Sequence, residues 1–180
     1  MMTLINKPAP DFTLKGIETG KDFKNYTLSD YKTKGAKKGK WVVLFFYPRD
    51  FTFICPTEIT GFSKRLEDFA KLNAVILGAS TDSEHSHKTW LKDLGDLHYP
   101  LLADTAHTVS DAYGVLVPEE GKSLRGTFII DPDGIVQYSL YHSDNVGRSV
   151  SETLRVLAAL QTGELCQMEW TPGKKTLGKK

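Results

Sequence analysis

The feature of this 180-residue chain that most constrains its fold is the run Trp41-Val-Val-Leu-Phe-Phe-Tyr47, stopped by Pro48. Seven consecutive apolar residues, rich in aromatic and β-branched types, fit a strand buried on both faces, which requires a packed layer on each side. Proline has no N–H for the strand ladder and ends the run. A short loop then delivers Thr52 and Cys55, and Pro56 suits a first helical position. Ile59, Phe62, Leu66 and Phe69 recur at helical spacing and predict one helix over about residues 56–72. The stretch reads as strand, loop, cysteine at a helix start, helix.

The remaining elements fall around it. Residues 3–14, with prolines at 8 and 10, suggest an extended edge hairpin. Lys32 to Lys40 holds five lysines and two glycines in nine residues; it fits a solvated turn feeding the central strand, and an anion-binding patch is the alternative. Ala74 to Ser80 is a second buried strand, and strand–helix–strand order at this spacing implies a parallel pair. Asp82 or Ser83 caps the next helix, whose apolar face carries Trp90, Leu91 and Leu94. On that helix His85 and His87 point apart and share no metal, which leaves solvated or capping roles for both. Leu116 to Lys122 reads as a loop. Leu124 to Ile130 and Ile135 to Tyr141 flank Asp131-Pro-Asp-Gly134, a type I turn sequence, and so form an antiparallel hairpin. A last helix over about 147–160 stops at Gly163, and the Gly/Lys-rich tail from Thr171 is expected to be mobile. These elements form an α/β layer fold in one domain of ordinary size.

Composition narrows the class. An apolar fraction of 40%, a charged fraction of 25% and a net charge of +1 describe a soluble globular protein with no global pull toward nucleic acid or membrane. Two cysteines make no disulfide scaffold and suggest a reducing compartment. No apolar run approaches the ~20 residues that span a bilayer. The N-terminus lacks the apolar stretch of a signal peptide, so a cytoplasmic location is expected.

An ordinary thiol, with a pKa of about 8.5, is only ~3% thiolate at pH 7. Unpaired N–H groups at a helix start, together with a nearby cation, favour the anion. Thr52 can donate to the sulfur or accept from a substrate. On these residues alone, a buried structural cysteine fits Cys55 equally well. The longer string Phe46-Tyr-Pro-Arg-Asp-Phe-Thr-Phe-Ile-Cys-Pro-Thr-Glu58, with its skeleton Pro48-x-x-x-Thr52-x-x-Cys55, resembles the peroxidatic-cysteine signature of the peroxiredoxins. The resemblance is greatest to the typical two-cysteine group that includes the peroxidase component of bacterial alkyl hydroperoxide reductase, and it runs from Pro8 to Trp170.

That resemblance implies a thioredoxin-like fold with N-terminal additions over residues 1–165, followed by a resolving-cysteine segment and basic tail over 166–180. It implies a thiol peroxidase acting on hydrogen peroxide and small alkyl hydroperoxides, with no cofactor or metal. Cys55 becomes the nucleophile, shielded by Pro48. Arg125, in Leu124-Arg-Gly-Thr-Phe128, becomes the active-site arginine; on its residues alone the same string fits an edge-strand arginine in a surface ion pair. Glu58 matches the glutamate that holds this arginine, and Arg148 a second arginine of the network. Trp90 matches a tryptophan near the pocket, or else a core aromatic. Cys166, in Gly163-Glu-Leu-Cys-Gln-Met-Glu-Trp170, matches the resolving thiol supplied by a partner subunit, although Gln167 and Met168 replace the family's proline and alanine. A homodimer assembling to a decamer follows, reduced by a thioredoxin-like or flavoprotein partner. The family's Gly-Gly-Leu-Gly insert and C-terminal Tyr-Phe helix are not found here, which implies resistance to overoxidation.

Other chemistries fit less well. A thiol–disulfide oxidoreductase wants Cys-x-x-Cys, and Cys55-Pro-Thr-Glu58 lacks the second thiol. A Cys/His hydrolase wants a histidine tied to Cys55 by a motif. A redox sensor or chaperone-like oligomer would use the same cysteines.

Overall fold

The computed structural model describes residues 3–179. Its elements in chain order are β1 (Thr13–Ile17), β2 (Lys24–Thr27), a 3-10 turn (Leu28–Tyr31), β3 (Trp41–Phe46), α1 (Cys55–Lys64), α2 (Leu66–Lys71), β4 (Ala74–Ser80), α3 (Glu84–Leu94), β5 (Leu101–Ala103), α4 (Thr108–Ala112), β6 (Leu116–Val117), β7 (Lys122–Ser123), β8 (Arg125–Ile130), β9 (Val136–His142) and α5 (Val150–Thr162). Seven strands form one mixed sheet in the order β2-β1-β5-β4-β3-β8-β9. β3 pairs parallel with β4 and antiparallel with β8. This is the α/β layer fold expected, with the predicted buried strand near the middle of the sheet.

The double-sided burial of β3 explains its unbroken apolar run. Val43, Phe45 and Tyr47 join one core with residues of α1, α3 and α5, including Ile59, Phe62, Trp90 and Leu157. Val42, Leu44 and Phe46 join a second core on the opposite face, with Val109, Tyr113 and Phe128. Strand alternation divides the run between two layers. Each fully buried aliphatic or aromatic side chain contributes roughly 1.5–3 kcal/mol of transfer free energy.

Several expectations are corrected. The predicted helix over 56–72 is two helices, broken at Arg65 (φ −111°, ψ 13°). Arg65 N–H donates to the Phe62 carbonyl and Asp68 N–H to the Arg65 carbonyl, a tight turn that preserves the apolar spacing and so leaves no trace in periodicity. The edge hairpin lies at β1–β2 rather than at residues 3–14, because only there do both arms pair; Pro8 makes a single bridge to Ile135. The loop over 116–122 contains the small antiparallel pair β6–β7. Of the two expected caps for α3, Ser83 is the one used, accepting from Ser86 N–H. α5 begins at Val150, three residues later than expected, because Ser149 caps it by accepting from Glu152 N–H and Arg148 N–H is committed to Glu58. The tail expected to be mobile is folded back: Leu165 N–H donates to the Gly178 carbonyl and Leu177 N–H to the Leu165 carbonyl, both at 2.8 Å. Beside it Trp170 is buried and its indole N–H donates to the Lys174 carbonyl.

Candidate active site

The site forms where the C-terminal end of β3 meets the start of β8. Antiparallel pairing places Phe45 opposite Thr127. Continuing that register sets Arg125 beside Tyr47, where the loop to Cys55 begins. Gly126 is required at this crossing, since a Cβ there would stand 2.5 Å from Val115 Cγ1.

Cys55 is the first residue of α1 and has no solvent exposure. Arg125 Nη1 donates to Cys55 Sγ at 3.3 Å and to Glu58 Oε2 at 2.7 Å. The opposite edge of the guanidinium, Nε and Nη2, donates to the Asp144 carbonyl at 3.1 and 2.9 Å. Burial disfavours the charge on Arg125, but the sulfur hydrogen bond and the Glu58 carboxylate outweigh it and raise its pKa. A guanidinium held this way is a fixed positive edge against a thiol, which favours the thiolate.

Glu58 stands one helical turn after Cys55 and ties the two arginines together. Its Oε1 accepts from Arg148 N–H at 2.9 Å and from Arg148 Nε at 3.1 Å. The Arg148 side chain is 1% exposed. Its other nitrogens donate to the Phe46 and Gly126 carbonyls, and its guanidinium lies 5.0 Å from the Phe45 ring centroid. Burial pulls its pKa down to about 10, so the group stays charged at neutral pH. Three buried charges and a thiol therefore share one closed network, with backbone carbonyls filling the remaining donor sites.

The loop before Cys55 is fastened from below. Asp50 accepts from Tyr47 Oη at 2.9 Å and Ser86 Oγ at 2.7 Å, and its Oδ2 lies 2.8 Å from His87 Nδ1. His87 Nε2 lies 3.1 Å from the Leu102 carbonyl. His87 is thus fully buried, which corrects the expectation of a solvated or capping role for it; of the pair, His85 is the exposed one. With Asp50 pinned, Phe51 adopts a left-handed backbone (φ 54°) and sets its ring 5.7 Å from Trp90. Trp90 itself is a core aromatic packed on Tyr47.

Pro48, Arg49, Thr52, Phe53, Ile54, Glu120, Lys122, Arg125 and Asp144 line a cleft of about 290 Å³. Pro48 is buried at its edge. Thr52 Oγ1 donates to the Arg49 carbonyl at 3.0 Å and not to the sulfur, which leaves its lone pairs for an incoming group. A larger cavity, about 620 Å³ between α2, α5 and Thr171–Pro172, holds no thiol, and its Arg65 and Arg155 are paired with Asp68 and Glu152. Chemistry selects the smaller cleft. Among the described residues no three His, Cys, Asp or Glu side chains form a metal-ligating group.

The structure brings Cys55, Thr52, Pro48, Arg125, Glu58 and Arg148 together and leaves Cys166 apart. Both thiols are free. Cys166 follows α5 and lines a different cavity with Val156, Ala159 and Met168. What residue-by-residue reading missed is the role of the Asp144, Phe46 and Gly126 carbonyls, which carry no sequence signature, and the Asp50–His87 anchor. An aspartate inside the Cys55 string was the one available signal for that anchor.

Comparison with known proteins agrees with this geometry. The sequence matches the AhpC/TSA family over residues 5–139. A peroxiredoxin-named protein of the Clostridium pasteurianum rubredoxin operon is 52% identical, over 98% of this chain and 100% of its own length. The chloroplastic 2-Cys peroxiredoxin BAS1 of Hordeum vulgare is 47% identical, over 98% of this chain and 86% of its own. The crystal structure of reduced Plasmodium vivax 2-Cys peroxiredoxin superposes with a TM-score of 0.90 at 36% identity, covering 97% of this chain and 92% of that one. With similarity spanning nearly the whole length in sequence and in fold, the chain belongs to the AhpC/TSA family, among its 2-Cys peroxiredoxins.

Proposed function

We propose that this thiol-dependent peroxidase reduces hydrogen peroxide and small alkyl hydroperoxides through Cys55, with Cys166 of a partner subunit as the resolving thiol. The observation that carries the reading is the Arg125 guanidinium, hydrogen-bonded at once to Cys55 Sγ and Glu58.

The chemistry follows from the cleft. The Cys55 thiolate attacks one peroxide oxygen; an S–O bond forms, the O–O bond breaks, and the electron pair leaves on the other oxygen, which takes a proton to become water or alcohol. Arg125 is the donor aimed at the charge that develops along O–O, and the Thr52 oxygen accepts from the peroxide hydroxyl. Glu58 and Arg148 hold Arg125 in place. Pro48 closes the cleft beside the loop. The resulting sulfenic acid condenses with the Cys166 thiol, forming a disulfide and releasing water. Disulfide formation needs Cα atoms within about 7 Å, so the buried first turn of α1 opens in each cycle. A thioredoxin-like or flavoprotein dithiol then reduces the pair by exchange. A homodimer, assembling to a decamer, and a cytoplasmic antioxidant role complete the proposal.

The test is peroxide consumption by wild type, Cys55→Ser and Cys166→Ser with thioredoxin and its reductase supplied, read with non-reducing electrophoresis. Turnover dependent on both cysteines, with a cross-linked dimer on oxidation, is expected. Turnover by Cys55→Ser would overturn the assignment of the nucleophile.

A further inference from the structure

We propose that Lys122 is a positioning residue for the reaction at Cys55, acting through Asp144 on Arg125; this rests on the reading of Cys55 as nucleophile. The Arg125 guanidinium has one nitrogen, Nη1, shared between the sulfur and Glu58, while Nε and Nη2 both grip a single carbonyl, that of Asp144. A planar fork held at two points on one edge takes its rotation from the acceptor there. Moving the Asp144 carbonyl swings Nη1 relative to the sulfur.

That carbonyl belongs to a turn outside any strand or helix. The turn's other hydrogen bonds are internal: Val146 N–H to the Ser143 carbonyl, and His142 Nδ1 at 3.2 Å from the Val146 carbonyl. Ser143, Asn145 and Val146 are exposed. The tie from this turn to the wall across the cleft is Lys122 Nζ, which donates to Asp144 Oδ2 at 2.6 Å. The second carboxylate oxygen, Oδ1, is buried with no hydrogen-bond partner among the described residues, so the side chain is held through Oδ2.

Lys122 is a firm anchor. It lies in β7, paired with β6, next to the buried Ser123. Its ammonium also bonds Glu120 Oε2 at 2.6 Å, and its side chain is only 15% exposed. The turn joining β6 to β7 is fastened in its own right: the Glu120 carbonyl accepts from Arg49 Nη2, and the Gly121 carbonyl accepts from Thr81 Oγ1. The hydrogen bonds to Asp144 and Glu120 raise the Lys122 pKa, so the clamp stays charged across the neutral range. A continuous path results, from a rigid hairpin through ammonium, carboxylate and carbonyl to the guanidinium beside the sulfur.

The experiment measures the second-order rate of oxidation of the reduced full-length protein by hydrogen peroxide, in single-turnover stopped flow. Lys122→Met is expected to slow this step about tenfold, the scale of a small misplacement of a catalytic group. Lys122→Arg keeps a cation whose separate N–H groups can reach both Asp144 and Glu120, and is expected to hold the rate within about threefold of wild type. Asp144→Asn keeps the carbonyl but removes the charged grip; it is expected to match Lys122→Met, and the double variant to be no slower than either single one. A wild-type rate in Lys122→Met, no recovery in Lys122→Arg, or losses that multiply in the double variant would each overturn the proposal. If Lys122→Met does not fold, Asp144→Asn alone decides: a tenfold loss supports the clamp and a wild-type rate removes it. Cys55→Ser in parallel separates the two readings, since its failure to abolish oxidation removes the nucleophile whatever Lys122 does.

Discussion

The chain's two thiols sit in opposite kinds of surroundings. Around Cys55 the contacts are short, charged and buried: Arg125 touches the sulfur, Glu58 touches Arg125, and Arg148 touches Glu58, with every one of these side chains 4% exposed or less. Around Cys166 the hydrogen bonds are long and to neutral groups: Thr162 Oγ1 lies 3.5 Å from Sγ and the Ala159 carbonyl 3.8 Å away. Leu165 and Met168, its apolar neighbours in sequence, are exposed. One thiol is built into the core beside charged groups that stay paired, so only its own first helical turn opens in the cycle; the other rides on a surface segment that small energies can release. The difference teaches that the proposed cycle divides its demands. Peroxide attack needs fixed geometry, and disulfide formation needs a piece that travels.

The largest test of that division is the pair of cysteine variants. Cys55→Ser is expected to lower the rate of reaction with peroxide by about three orders of magnitude or more, the scale of losing a nucleophile. Cys166→Ser is expected to leave that step within about twofold, because no contact of Cys166 reaches the cleft, while thioredoxin-supported turnover stops. Stopped-flow oxidation and a coupled turnover assay read the two effects separately. A Cys166→Ser protein slow in its first oxidation would erase the contrast between the sites.

Next comes the carboxylate that joins the arginines. Glu58→Ala strands two buried guanidinium groups and is expected to cost about 3–5 kcal/mol of stability in urea denaturation. Its counterpart beside Cys166 is Glu164, half-buried, whose Oε2 accepts from Thr176. Glu164→Ala is expected to cost about 1 kcal/mol, the net worth of one hydrogen bond. Equal losses from the two substitutions would show that the rigidity of the Cys55 side contributes nothing.

Arg125 sharpens the comparison further. Arg125→Lys keeps a charge but loses the fork that spans sulfur, carboxylate and carbonyl, so peroxide reactivity is expected to fall by about 10². Reactivity unchanged in Arg125→Lys would mean that a point charge suffices and that the carbonyl of Asp144 plays no part.

How far all this was legible in the sequence follows the same divide. β3, β4, the β8–β9 hairpin and the placement of Cys55 at a helix start could be read because burial and turn chemistry are written in side chains. Arg125, Glu58 and Arg148 were reachable only through resemblance: nothing in their spacing, 67 residues between the first two, announces a contact. The break at Arg65 was invisible because the Ile59, Phe62, Leu66, Phe69 spacing survives it. His87 was misjudged because helical geometry gave its direction relative to His85 and not the depth of its partner Asp50 in the loop. The fold-back of the tail was missed because its ties are backbone hydrogen bonds from Leu165 and Leu177, residues that look like the ends of a loose segment.

The smallest expected effect probes how the Cys166 segment is held. Arg155 Nη1 donates to the Trp170 carbonyl at 2.9 Å, while its Nε and Nη2 grip Glu152. The hydrogen bond from Arg155 lowers the Glu152 pKa despite the opposing effect of burial. A carboxylate whose folded pKa is depressed stabilises the fold above its unfolded pKa, about 4.3, and loses that contribution as pH falls through the lower folded value. Acid is therefore expected to slacken Arg155, and with it the anchor of Trp170, while Arg125 and Arg148 keep their charge. The Glu152 side chain is 45% exposed and the pair is screened by solvent, so the contribution is at most about 0.5 kcal/mol. Glu152→Gln at pH 7 removes the same charge without acid. It is expected to shift the Trp170 indole N–H resonance and to raise the rate of Cys166 alkylation about twofold, with the peroxide reaction of Cys55 unchanged. An unshifted resonance would mean that the segment is held by Leu165, Leu177 and Gly178 alone, and the looseness assigned to the Cys166 side would then have to be sought in those backbone hydrogen bonds.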